Sequence, residues 1–238
     1  MRFVDVHTHM VPSGDDGAAT IEEALTLCRE AARRGTAVLY VTPHVNEELP
    51  LTAQRELTIR ENARELSGLL TADGLEIRVG FELSPAIDLT GDHVRRYSLD
   101  GYGAVLIECP LEAADTSGVA PIFATAERVE AGGLLPVLAH PERSPALLAD
   151  PGTASEAARR GWLLQLTAAS LLGRHGKPVA DFGWLLLEAG EAHIVASDGH
   201  RPNRPPFLDE ALPILSDRLG RANAVSLLDA SALRRAAT

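Results

Sequence analysis

His7 and His9 flank a single threonine at the end of an apolar run, and ligand-type side chains follow similar runs along the rest of the chain. These are Asp16, His44, Glu82, Glu108, His140, Asp198 and His200. Imidazole nitrogens and carboxylate oxygens without thiolates suit Zn, Fe, Mn, Co or Mg, and so many donors exceed the coordination of one ion. The set predicts a polynuclear metal site. A His-x-His pair in extended backbone points both rings to one side, because side chains alternate with period two. Glu82 and Glu108 adjoin strongly apolar runs, where a buried carboxylate is costly unless paired or metal-bound, and Glu82 is the preferred bridge between two ions.

Each residue alone has a structural alternative: a surface histidine pair, an acidic turn before a helix, a loop histidine behind Pro43. A succession of such alternatives, each at the C-terminal end of a predicted strand, is less economical than one shared site. His93 in a polar stretch, His175 in a glycine-flanked loop and His193 at the opposite end of its strand are left outside the set. Cys28 to Arg34 has the Cys-x5-Arg spacing of a thiolate phosphatase. That chemistry needs a loop of anion-facing backbone N–H groups, whereas Cys28 falls on the apolar face of a helix pattern without glycine. Cys109 reads as a small core residue. No Gly-rich phosphate loop or G-x-S-x-G elbow occurs.

The elements that must position these ligands alternate between short β-like runs and helical stretches, the pattern of a parallel α/β fold. The predicted strands are Arg2 to Val6, Ala37 to Val41, Leu75 to Phe81, Ala104 to Ile107, Leu134 to Ala139, Trp162 to Leu166 and His193 to Ala196. Predicted helices begin at Thr20, where Glu23 completes a capping box and Gly35 marks the end, and recur over Thr52 to Leu70, Val119 to Ala131 and Asp181 to Ala189. Pro202 to Pro206 reads as a stiff loop and Asp150 to Gly152 as a turn. With no visible linker, residues 1–238 are expected to form one domain.

A hydrophobic content of 45% supports a substantial core, and a formal charge of −11 argues against general binding to nucleic acid or anionic membranes. Bound metals would invert that sign locally, so an anionic small substrate stays compatible. Two cysteines are too few for a disulfide framework, and no apolar segment reads as a signal or membrane span. A cytoplasmic location without direct membrane insertion is the expectation.

The ordered motifs DVHTHMVPSGDDGA, TPH, LAHPER, QLTAASLLG and SDGHRPNRPP resemble the PHP (polymerase and histidinol phosphatase) superfamily. Within it the likeness is to bacterial manganese-dependent tyrosine-protein phosphatases of capsule and exopolysaccharide synthesis, and it spans essentially the whole chain. The resemblance implies a distorted (β/α)7 TIM-like barrel with the active site at the C-terminal ends of the strands. It places metal ligands at His7, His9, Asp16, His44, Glu82, Glu108, His140, Asp198 and His200, and phosphate-holding roles at Arg143 and Arg204. About three divalent ions per chain are implied, Mn first and Fe, Zn, Mg or Co as the other candidates. Ser144 stands where an aromatic residue is usual, and Val45-Asn46 where the family often has another histidine or a basic residue; both touch the pocket rim.

The implied activity is phosphomonoester hydrolysis at phosphotyrosine by metal-activated hydroxide, with the arginines stabilising the equatorial oxygens. A tyrosinate, of pKa about 10, leaves more readily than a serine alkoxide. The implied partner is a phosphotyrosine protein, the tail of a bacterial tyrosine kinase of polysaccharide synthesis. The alternatives are a small-molecule phosphatase of the histidinol-phosphate type, a phosphodiesterase on the same scaffold, and a non-catalytic metal-stabilised binding module.

Overall fold

The computed structural model describes residues 2–85, 87, 89, 94–111 and 118–236. Its strands are β1 (Phe3–Thr8), β2 (Thr36–Val41), β3 (His44–Val45), β4 (Glu76–Val79), β5 (Glu82–Leu83), β6 (Ala104–Glu108), β7 (Leu135–Ala139), β8 (Leu163–Thr167) and β9 (Ile194–Ala196). The main helices are α1 (Ile21–Arg33), α2 (Ala53–Leu69), α3 (Ala120–Ala131), α4 (Pro145–Ala149) and α5 (Pro151–Arg159). After β8 come α6 (Ala168–Leu171) and α7 (Lys177–Glu188), and after β9 α8 (Ala211–Leu219), α9 (Arg221–Leu228) and α10 (Ser231–Ala236).

All the strand pairs are parallel. They form the orders β1-β2-β4 and β3-β5-β6-β7-β8-β9. The chain runs from β2 into β3 through Thr42-Pro43, and from β4 into β5 through Gly80-Phe81, so the two sheets share strand paths. Hydrogen bonds from Gly80 N–H to Val41 O (3.0 Å) and from Glu82 N–H to Pro43 O (3.2 Å) carry the pairing across the breaks. Pro43 has no N–H to give a ladder, which is why the sheet is interrupted there. At the other edge Asp198 N–H donates to His7 O (3.0 Å) and His9 N–H to Gly199 O (2.6 Å), joining the last strand path to the first. The result is a distorted, barrel-like parallel α/β fold.

Period-two alternation sorts the strand side chains into two buried layers. Val6, Tyr40, Leu106, Val137, Ala139, Ile194 and Ala196 form an inner cluster. Leu39, Val41, Val105, Ile107, Leu138, Leu164 and Val195 face outward into a second cluster with the helices. Strands buried on both faces must be apolar throughout, which is why they read as short Val/Leu/Ile runs. Each such side chain contributes about 1.5–3 kcal/mol when fully buried. Ala230 and Leu233, the latter on α10, join the inner cluster from the C-terminal part of the chain.

The α1 cap matches its sequence pattern: Glu23 N–H donates to Thr20 Oγ1 (3.2 Å), and the Glu23 carboxylate accepts from Ala19 N–H (2.9 Å). Three differences stand out. The helix expected from Asp181 starts at Lys177, because Pro178 is tolerated in a first turn, where its missing N–H is not needed. The turn expected at Asp150 to Gly152 is the junction of α4 and α5, with Pro151 opening the second helix. The helices over 211–236 are not anticipated by the sequence reading; α8 packs on α9 and α6, and α9 on β9, β1 and α10. No helix among the described residues is long and apolar enough to cross a membrane.

Candidate metal centre

The strand ends deliver the ligand-type residues to one rim. His7 lies in β1 with His9 just beyond it, and His44 of β3 is the register partner of Glu82 in β5. Glu108 closes β6, His140 follows β7, Asp198 and His200 follow β9, and Asp16 comes from the loop before α1. Their donor atoms fall into four overlapping groups. These are His9, Asp16, His44 and His200; His7, His9 and Asp198; His7, Glu82 and His140; and His44, Glu82 and Glu108. Within each group the atoms lie within 4.8 Å of one another. Every ligand candidate from the sequence is in a group, and His175 and His193 are in none. His93 lies outside the described residues.

Glu82 is the centre of this arrangement. Its Oε1 is 3.0 Å from His140 Nε2, while its Oε2 has His7 Nε2 at 3.1 Å, His44 Nδ1 at 3.1 Å and His9 Nε2 at 3.3 Å. None of the three contacts to Oε2 has hydrogen-bond geometry, and the atom is buried. A buried polar oxygen ringed by nitrogens yet bonded to none has its lone pairs available to cations. With all-nitrogen and oxygen neighbours, the residues around Glu82 would suit borderline or hard divalent ions.

Electrostatics point the same way. Burial would raise the Glu82 carboxyl, but His7, His44 and His140 outweigh it and hold the group well below the usual carboxylate range. Burial likewise opposes ionisation of Asp198, and His7, His140, Arg204 and His200 overcome it. Burial disfavours charge on His9, yet Asp15 and Glu82 lift it to about 10. Glu108 is pushed up to about 7 by burial and by the Glu82 charge. A second carboxylate cannot ionise freely here without cationic charge beside it, and a metal ion is such a charge.

Several residues outside the ligand set orient it. Gln165 Oε1 lies 2.7 Å from His7 Nδ1, which leaves His7 Nε2 for the rim. Asp15 Oδ2 is 3.1 Å from His9 Nδ1 and accepts from His44 N–H at 3.1 Å, while its Oδ1 accepts from Gly17 N–H at 3.0 Å. A Cβ on Gly17 would stand 2.3 Å from His9 O, so only glycine lets the loop pass this close. The sequence showed two aspartates with one ligand role between them. What separates Asp15 from Asp16 is burial, since their side chains are 2% and 64% exposed. Gln165 could have been found as a polar side chain inside an apolar strand, which must have a partner when buried.

His140 and Asp198 both adopt left-handed backbone, with φ of 40° and 53°. Non-glycine residues in this region carry strain that the surroundings must hold, and such residues cluster at functional sites. Here the Pro205-Pro206 loop does part of the holding: His200 N–H donates to Arg204 O at 2.7 Å, and a Cβ on Gly199 would meet Pro206 Cα at 2.7 Å. The loop also delivers Arg204. Its Nη2 lies 2.8 Å, and Arg143 Nη1 2.5 Å, from the same Asp198 Oδ2. Two guanidinium groups therefore converge on one anionic oxygen at the edge of the ligand cluster. Beside them opens a cavity of about 390 Å³, whose walls include Leu172, Pro205 and Phe207. A larger apolar cavity of about 540 Å³ around Leu187, His193 and Leu227 includes none of these residues.

Known proteins share this framework. The chain is 29% identical over 223 residues to the tyrosine-protein phosphatase YwqE of Bacillus subtilis, covering 92% of this chain and 85% of that protein. It is 27% identical over 238 residues to the tyrosine-protein phosphatase CpsB of Streptococcus pneumoniae, covering 94% of each. A solved structure from work on YwqE and CpsB, described as unique metal-dependent tyrosine phosphatases, superposes with a TM-score of 0.84 and 28% identity. That match covers 100% of this chain and 96% of the other. The profile of the capsular polysaccharide synthesis proteins CpsB/CapC matches residues 3–234, and the chain belongs to that family.

Proposed function

We propose that this chain is a metal-dependent phosphomonoester hydrolase acting on phosphotyrosine in proteins, with residues 1–238 working as one PHP-type domain. The observation that carries the reading is the convergence of Arg143 and Arg204 on Asp198 Oδ2, at the margin of a nitrogen and oxygen cluster built around Glu82. His7, His9, Asp16, His44, Glu82, Glu108, His140, Asp198 and His200 would hold about three divalent ions, manganese first among them. Bound divalent ions supply positive charge for the phosphate and acidify water.

The chain's own residues do the rest. Planar, permanently charged guanidinium groups match the oxygens of a phosphate dianion, and Arg143 is largely withdrawn from solvent, its side chain only 13% exposed. On substrate binding the two arginines exchange the Asp198 oxygen for phosphate oxygens and stabilise the equatorial charge of the transition state. The neighbouring cavity, with Phe207, Leu172 and Pro205 in its wall, accepts an aromatic ring as leaving group. The kinship to tyrosine phosphatases and to capsular polysaccharide synthesis supports a tyrosine kinase tail of that system as the partner, in the cytoplasm.

The test is kcat/KM on a phosphotyrosine peptide, histidinol phosphate and a phosphodiester, with Mn, Zn, Mg and Fe supplied in turn after chelation. The peptide should be the preferred substrate, and activity should vanish with chelator and return with metal. Preference for histidinol phosphate or the diester would overturn the substrate assignment. Activity indifferent to chelation would overturn the metal dependence.

A further inference from the structure

His175 belongs to none of the donor groups of the metal centre, yet it lines the same cavity as Arg143, Arg204 and Asp198. Behind it stands a buried relay. Glu142, fully buried, receives Thr167 N–H at 2.9 Å and the Ser170 hydroxyl at 2.7 Å, both on Oε1. Ser170 Oγ in turn lies 3.0 Å from His175 Nδ1. A serine hydroxyl has one proton, and here it is given to Glu142. His175 Nδ1 must therefore carry its own proton and donate to Ser170, which fixes the tautomer and leaves Nε2 as the second nitrogen. Among the described residues Nε2 has no partner.

We propose that His175 is the proton donor to the departing tyrosine oxygen, with Ser170 and Glu142 as its positioning residues. The inference rests on the reading of the chain as a phosphotyrosine hydrolase. In-line displacement with attack from the ligand cluster sends the leaving oxygen away from that cluster and into the cavity where His175 stands. The phosphorus–oxygen bond to the phenol breaks, its electron pair stays on the phenolic oxygen, and that oxygen takes the Nε2 proton. A water oxygen forms the new bond to phosphorus and loses a proton to solvent, from which His175 is reloaded.

The charged groups facing His175 regulate when it carries that proton. Burial, then Arg143 and Arg204, push the imidazole down to about 4, with Asp198 opposing and His140 adding to the depression. Arg174 is its chain neighbour, and Glu142 acts through Ser170. A phosphate dianion bound by the two arginines offsets their share of this depression, so substrate binding favours the second proton on the imidazole.

His175→Gln and Ser170→Ala test this against two substrates, a phosphotyrosine peptide and p-nitrophenyl phosphate, whose leaving group is more acidic and needs no proton. For His175→Gln the expected loss in kcat is about 10²-fold on the peptide, the scale of a general acid, and at most a few-fold on the nitrophenyl ester. Ser170→Ala should show the same pattern more weakly. Calorimetric titration of the metal-loaded protein with sulfate, in buffers of different ionisation enthalpy, should show proton uptake in the parent protein that His175→Gln abolishes. Equal losses on both substrates, no loss on either, or unchanged proton uptake would each overturn the proposal. A parent protein that hydrolyses p-nitrophenyl phosphate but not the peptide would instead overturn the phosphotyrosine reading on which it rests.

Discussion

Gln165 Oε1 lies 2.7 Å from His7 Nδ1, and this contact decides which nitrogen of His7 faces the ligand cluster. The amide oxygen can only accept, so Nδ1 carries the proton and Nε2 presents its lone pair toward Glu82 and Asp198. A partner of this kind, sitting behind a metal-ligating imidazole, sets the tautomer and the ring orientation. Gln165→Leu keeps the volume and removes the acceptor. Metal affinity, measured by competition with a chromogenic chelator, should fall about 10- to 100-fold while the circular dichroism spectrum is unchanged. Unaltered affinity would show that His7 is oriented by packing alone.

Arg143 and Arg204 share the Asp198 oxygen but differ in exposure, with side chains 13% and 33% exposed. Replacing either by alanine should leave metal content intact and lower kcat/KM on a phosphotyrosine peptide by about 10²- to 10³-fold, the effect of removing one donor from a developing oxyanion. Arg143→Lys should recover little, because an ammonium cannot reproduce the planar fork. Metal content is measured on the same preparations. A loss of metal in Arg143→Ala would mean that the arginine serves Asp198 rather than the substrate.

Much of this was legible in the sequence because barrel strands announce both their core and their ends. Most apolar runs that are buried on both faces stop at or near a ligand-type residue, as at Glu108 after Ala104 to Ile107 and Asp198 two residues after Ala196, whereas β8 ends without one. The residues that aim the ligands were less legible. Asp15 acts from within a turn and Gln165 across the fold, and the one local mark is the polarity of Gln165 inside an apolar strand. His175 lies in a glycine-flanked loop with no metal-binding pattern, and only the folded chain brings it beside Ser170 and into one cavity with the two arginines. The C-terminal helices are a different case: α9 has eight residues and α10 six, too few turns for an apolar stripe to repeat.

Cys28 tests the rival chemistry. It is fully buried on α1, and burial together with the Asp5 carboxylate pushes its thiol well above the ordinary range. A thiol in that state supplies almost no thiolate, so it is neither nucleophile nor alkylation target. Cys28→Ala should retain full activity with a small loss of stability, about 1 kcal/mol for a lost sulfur-sized group in the core. Iodoacetamide should leave the native enzyme unaffected at pH 8. Loss of turnover in Cys28→Ala with an unchanged melting temperature would reopen thiolate catalysis.

His193 gives a pH prediction far from the metal centre. Its Nδ1 accepts the Leu164 N–H at 3.1 Å, so the ring must be neutral at that nitrogen in the folded protein. Burial lowers its pKa, with only Glu191 opposing. The unfolded chain therefore binds more protons than the folded one below the ordinary histidine value of about 6.5. Stability from this group is complete above that pH and is lost as pH falls through it. His193→Gln retains an acceptor for Leu164 N–H and cannot titrate. The difference in denaturant midpoint between variant and parent should move in the variant's favour between pH 7.5 and 5. At pH 7.5 the two should agree to within about 1 kcal/mol, the worth of one hydrogen bond. A difference that stays constant across that range would show that His193 keeps its charge on folding.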